Sequence, residues 1–87
     1  MRNKIIFICP VCGYDKLDEP SHDEYGNGSF DICPCCGIEF GYQDFVTPHS
    51  ELREKWIKDG MKWWSDYTPP PIQWDAQKQL LIFKSNT

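Results

Sequence analysis

Two copies of one short pattern constrain this chain more than anything else in it: Ile8-Cys9-Pro10-Val11-Cys12-Gly13 and Ile32-Cys33-Pro34-Cys35-Cys36-Gly37. Two residues between cysteines let one tight turn present both sulfurs to a single tetrahedral ion, with metal–sulfur distances of about 2.3 Å for zinc. Proline after the first cysteine fixes φ and presets that turn. Glycine after the second takes the positive φ at which the chain reverses behind the metal. The spacing C-x2-C, twenty residues, C-x2-C falls in the range of a four-cysteine site. Cys9, Cys12, Cys33 and Cys36 are therefore the expected ligands of one metal ion, with zinc the expected cofactor and iron the alternative, since thiolate ligation alone does not separate the two. Redox-active C-x-x-C pairs are the competing reading. Those usually open a helix in a βαβ setting, and neither copy does so here.

An 87-residue chain buries only about 60–65% of its unfolded surface and commonly needs a staple. Disulfides would require an oxidising compartment. The apolar run Ile5 to Ile8 is far shorter than the roughly 7–15 residues of a secretory core or the roughly 20 of a membrane span. The expectation is a cytoplasmic protein without a membrane segment, where thiolates are free for metal; five cysteines, an odd number, also suit a disulfide framework poorly. Residues 1–50 hold three Lys/Arg against eight Asp/Glu, and residues 51–87 hold six against five. Four thiolates on a dication add a formal −2. The metal-bearing half would thus repel phosphate backbones, and no nucleic-acid partner is expected.

Along the chain, Lys4 to Ile8 reads as a short strand, Asp15 to Ser29 as a polar loop, Ser29 to Ile32 as a second strand pairing back, and Glu39 to Phe45 as a third. Thr47 is a candidate helix cap with Pro48 at the first helical position. From there to about Ser65, steps of about 100° gather Leu52, Trp56, Ile57, Gly60, Trp63 and Trp64 on one arc, with Arg53 and Met61 at its borders. Glu51–Lys55 and Glu54–Lys58 stand as i,i+4 pairs in the favourable order. Pro69-Pro70-Pro71 imposes an extended stretch. Asp75 then caps a short helix from Ala76 to about Phe83, leaving Leu80 and Phe83 to pack with Trp74 on the body. The fold class so derived is small α+β: a zinc-ribbon or rubredoxin-like double-knuckle β-hairpin over residues 1–46, with a packed amphipathic helix and a Pro-rich tail ending in a short helix over 47–87, together one domain.

Cys35 points away from the metal if its neighbours Cys33 and Cys36 bind it, and reads as a partly buried small residue, since no His or Lys close in sequence would activate it. His22 and His49 are not needed once four cysteines complete a tetrahedron; surface or capping roles are expected of them. A four-thiolate site lacks the open position of catalytic zinc, and no Ser-His-Asp pattern, phosphate-cradling loop or HExxH element occurs. No catalytic residues and no enzyme activity are expected.

At the two knuckles the sequence resembles the cysteine-rich CPCC family of small bacterial proteins, classed as metal-binding. The resemblance takes in the doubled Cys35-Cys36, Asp31-Ile32 before them and Glu39-Phe40-Gly41-Tyr42 after them, and extends through Glu51-Leu52-Arg53 and Trp63-Trp64 to Trp74. It implies Cys9, Cys12, Cys33 and Cys36 as ligands and implies no activity. The knuckles are also similar to those of rubredoxins, which bind iron and carry electrons. Three functions follow in order: a structural zinc module that engages a protein partner through aromatic side chains, with Trp64 and Trp74 the expected exposed ones; an iron electron carrier; and a nucleic-acid-binding ribbon, whose one basic stripe is Lys55, Lys58 and Lys62.

Overall fold

The computed structural model describes residues 5–84. Its first half is two knuckles built on one plan. In each, the first cysteine's N–H donates to the carbonyl five residues on (Cys9 to Tyr14, 2.8 Å; Cys33 to Ile38, 3.0 Å), and the glycine's N–H donates back to that cysteine's carbonyl (2.9 and 2.8 Å). Gly13 and Gly37 take φ of 89° and 81°, which an L side chain adopts only under strain. Each turn closes its own chain reversal, so Phe7 bridges Leu17 behind the first knuckle and Ile32 bridges Glu39 behind the second. The expected second strand thus pairs within its own knuckle, not with the first. Among the described residues the pairing is confined to isolated antiparallel bridges; Lys4, the start of the first expected strand, lies outside them. Glu39 to Phe45 is not a strand either, because the chain turns at Gly41 (φ 98°) into a single helical turn, α1, Gln43–Val46.

Helix α2, His49–Lys58, begins one residue later than expected, with Pro48 at the N-cap and no side-chain cap bond. It ends seven residues before Ser65. Gly60 N–H donates to the Ile57 carbonyl and Met61 N–H to the Trp56 carbonyl (3.1 and 2.9 Å), the paired bonds of a Schellman cap, with Gly60 at φ 106°. Trp63 and Trp64 are consequently off the helix. They lie on an extended segment that docks by its backbone on the second knuckle: Trp64 N–H donates to the Cys35 carbonyl and Ser65 N–H to the Pro34 carbonyl (3.0 and 2.9 Å). On the helix's exposed face Lys55 pairs with Asp59 at 3.2 Å, not with Glu51.

After the prolines, Asp75 accepts the N–H groups of Gln77 and Lys78 and caps α3, Ala76–Leu80, which tightens into a 3-10 turn over Leu81–Lys84. Trp74 and Leu80 pack on the core with Leu52, Met61 and Trp63. Trp63 packs edge-to-face with both Tyr14 and Trp74, with ring centroids 5.5 and 5.3 Å apart. Trp74 is thereby half-buried, against expectation, whereas Trp64 stays 54% exposed. The buried core is Cys9, Val11, Cys12, Tyr14, Cys33, Cys35, Phe40 and Trp56. Half of it is sulfur-bearing, so the knuckles are themselves the centre of packing. Among the described residues no helix is long and apolar enough to cross a membrane.

Candidate metal centre

The two knuckles face each other and bring the four expected cysteines together. Cys9 Sγ lies 3.8 Å from Cys36 Sγ, and Cys12 Sγ 3.7 Å from Cys33 Sγ; the four sulfurs lie within 4.8 Å of one another. Zinc with four thiolates at about 2.3 Å sets sulfur–sulfur edges of roughly 3.8 Å, the length of the two close contacts seen here. All five cysteines are free thiols.

Electrostatics favours a cation at that centre. Cys9, hydrogen-bonded foremost to Cys12 and then to Cys33 and Cys36, is held far below the ordinary thiol value. Cys12, facing Cys33 foremost, is pushed far above it. One thiolate forms easily among its neighbours' S–H donors, and its charge then opposes the next deprotonation in a buried setting. A divalent cation removes that opposition, and the donor set of buried sulfur without carboxylate fits a thiophilic one. Beside the cluster, Tyr14 is raised above the ordinary phenol value, first by burial and then by the charges of Cys33 and Cys35, and so stays protonated.

Around the sulfurs sits a polar shell that spacing did not disclose. Arg53, on α2, donates from Nε to the Val11 carbonyl and from a terminal nitrogen to the Pro10 carbonyl, each at 2.8 Å. Its guanidinium lies over the Phe83 ring, 3.6 Å from the centroid. This cation clamps the first knuckle through its backbone. Gln79, on α3, donates to the Cys12 carbonyl at 2.9 Å and to Cys35 Sγ at 3.3 Å, while its oxygen accepts Trp74 Nε1–H at 2.7 Å. Cys35 is wholly buried, beyond the partial burial expected of it. Its thiol is lowered, first by Cys12 and also by Gln79. Arg53's place at the border of the apolar arc was the one local hint of this shell; nothing near Gln79 signals its role.

The structure also joins three residues that the sequence leaves apart. His22 bridges Gly28, and Gly28 lies so close to Gly41 that a Cβ on it would sit 2.3 Å from the Gly41 nitrogen. That contact folds the acidic loop over α1, where Asp44 Oδ2 meets His49 Nε2 at 2.8 Å and His22 Nε2 at 3.1 Å. Asp44 Oδ1 accepts the Gly41 N–H. Burial works to raise the Asp44 carboxyl, but the His49 and Gly41 hydrogen bonds and the two imidazole charges outweigh it and hold it below the ordinary value. The histidines are thus neither plain surface groups nor helix caps.

No family model matches the chain, and no solved structure matches it. It is similar to two uncharacterised proteins of Bacillus subtilis strain 168. It is 35% identical to YoaQ over 71 residues, covering 63% of this chain and 60% of that one. It is 34% identical to YozI over 74 residues, covering 66% and 61% respectively. The chain therefore spans about three-fifths of the length of each of these relatives.

Proposed function

We propose that this chain is a non-enzymatic, cytoplasmic zinc protein of the zinc-ribbon kind, whose Cys9, Cys12, Cys33 and Cys36 hold one structural Zn(II), and that it acts by binding a protein partner. The observation that carries the reading is the convergence of four sulfurs, three buried and one partly so, within 4.8 Å of one another. Four thiolates fill zinc's coordination and leave it no position for water, which favours a structural over a catalytic ion. We infer, from the knuckle pattern alone, kinship with the cysteine-rich CPCC proteins, which would use the same ligand set.

A partner is suggested by a groove beside the second knuckle, lined by Tyr14, Trp64 and Tyr67 together with three carboxylates, Asp18, Glu19 and Asp31, against one cation, Lys16. Aromatic faces next to carboxylates suit a basic peptide segment. Hydrogen bonding and repulsion from Asp31 raise the Glu19 carboxyl above its ordinary value, a like-charge pairing that a cationic ligand would relieve.

The test is elemental analysis and a visible spectrum of untagged protein from cells grown with balanced iron and zinc, followed by titration of the thiols with a mercurial. One colourless zinc released per chain as the thiols react is the expected result. Iron with red thiolate absorption would replace this reading with the electron carrier. Paired cysteines without metal would overturn it.

A further inference from the structure

We propose that His22, Asp44 and His49 form a second metal site, separate from the thiolate centre, which takes a first-row divalent cation of borderline softness such as Zn(II), Co(II), Ni(II) or Fe(II) and leaves coordination positions open to water.

The donors converge as such a cation requires. Metal–nitrogen and metal–oxygen bonds of about 2.0–2.2 Å set neighbouring donor separations of roughly 2.9 Å in octahedral and 3.4 Å in tetrahedral geometry. The two nitrogen–oxygen separations, 2.8 and 3.1 Å, already match the lower end of that span. All three donor atoms lie within 4.8 Å of one another. The imidazoles, 24% and 34% exposed, are open to solvent on one side, so an ion and its waters can reach them.

The surroundings are those of a built site. The Asp44 side chain is 1% exposed, and the Gly41 N–H engages its Oδ1, leaving Oδ2 turned to the histidines. Ser21 Oγ lies 2.9 Å from His22 Nδ1. With Nδ1–H donated to that hydroxyl, a metal displaces the proton that Nε2 shares with Asp44 and takes its lone pair, the usual arrangement for a ligating histidine. The His22 ring also rests against Phe40 and that of His49 against His22, with centroids 5.9 and 5.4 Å apart, which limits their excursions. Two imidazoles and one carboxylate suit borderline cations, whereas four thiolates select soft ones, so each site has its own preference.

Full-length protein, as purified with its thiolate metal in place, is titrated with Co(II) under calorimetry and visible spectroscopy. The expected result is one further equivalent with weak d–d bands and no sulfur-to-cobalt charge transfer. The His22 and His49 ring resonances should broaden in the NMR spectrum. His22→Gln and His49→Gln keep a side-chain N–H for Asp44 but remove the imidazole; each should weaken this binding by at least about tenfold with near-ultraviolet dichroism unchanged, and Ser21→Ala by about tenfold. Absence of a further equivalent, cobalt seen solely through thiolate charge transfer, binding unchanged in both glutamine variants, or histidine resonances left sharp in the wild type would overturn the proposal. The wild-type resonances decide the matter even if a variant fails to fold.

Discussion

The two knuckles follow the same backbone path with the same pair of hydrogen bonds and the same left-handed glycine, yet they are sealed by different means. The first is closed by side chains: Arg53 and Gln79 satisfy the carbonyls of Pro10, Val11 and Cys12, and the tail lies so close that a Cβ on Gly13 would sit 2.9 Å from the Gln79 carbonyl. The second is closed by backbone, residues 64 and 65 bonding to the carbonyls of Cys35 and Pro34, with the Trp64 ring laid over Gly37. Cys9, Cys12 and Cys33 are wholly buried, while Cys36 of the second knuckle is only partly so. A repeated motif therefore fixes the ligand turn and leaves its enclosure to whatever the rest of the chain brings.

If the shared turn is what matters most, removing a ligand from either side should be equally ruinous. Cys9→Ser and Cys36→Ser are both expected to lose the metal and the cooperative thermal transition, because structural zinc contributes about 10–16 kcal/mol of apparent binding free energy in small domains. Cys35→Ser should keep its metal. A Cys36→Ser protein that stays folded and loaded would show that the more open knuckle is dispensable.

The difference in enclosure is sharpened by Arg53→Lys. A single ammonium does not reproduce two parallel bonds and a stacked guanidinium, and chemical denaturation should report a loss of about 1.5–3 kcal/mol, the range for hydrogen bonds to a charged group. An unchanged midpoint would reduce the clamp to decoration.

Smaller effects separate the two lids. Gly13→Ala and Gly37→Ala each force a side chain into left-handed backbone at a cost of about 1–2 kcal/mol. At Gly37 the added methyl meets the Trp64 ring at 2.5 Å, and that half-exposed ring is free to swing out, shifting tryptophan fluorescence to the red. At Gly13 the obstacle is tail backbone, so the loss should appear as reduced helical dichroism from α3 with fluorescence less changed. Identical spectra from the two variants would refute the contrast.

What the sequence made legible follows the range over which each feature is determined. The knuckles are local: two intervening residues, a proline and a glycine settle the turn, and the four clustered cysteines come with it. The Asp75 cap is local too. The end of α2 was also encoded locally, in Lys58-Asp59-Gly60, a basic last turn followed by glycine. Periodicity hid it, because Gly60, Trp63 and Trp64 happen to continue the apolar arc. Gln79 over Cys12, 67 residues away, and His22 beside Asp44 depend on chain paths that no spacing rule specifies. Gly28 and Gly41 make the second juxtaposition possible, yet each reads in isolation as an ordinary loop glycine.

Placing sulfur at half of the buried positions has a consequence for turnover. Three of the four buried sulfurs, Cys9, Cys12 and Cys33, are groups proposed to hold the ion, so an emptied chain would loosen its interior along with its site and become a substrate for proteases. Cells short of metal would then clear this protein instead of accumulating a vacant form, and its half-life, more than its occupancy, would follow the supply.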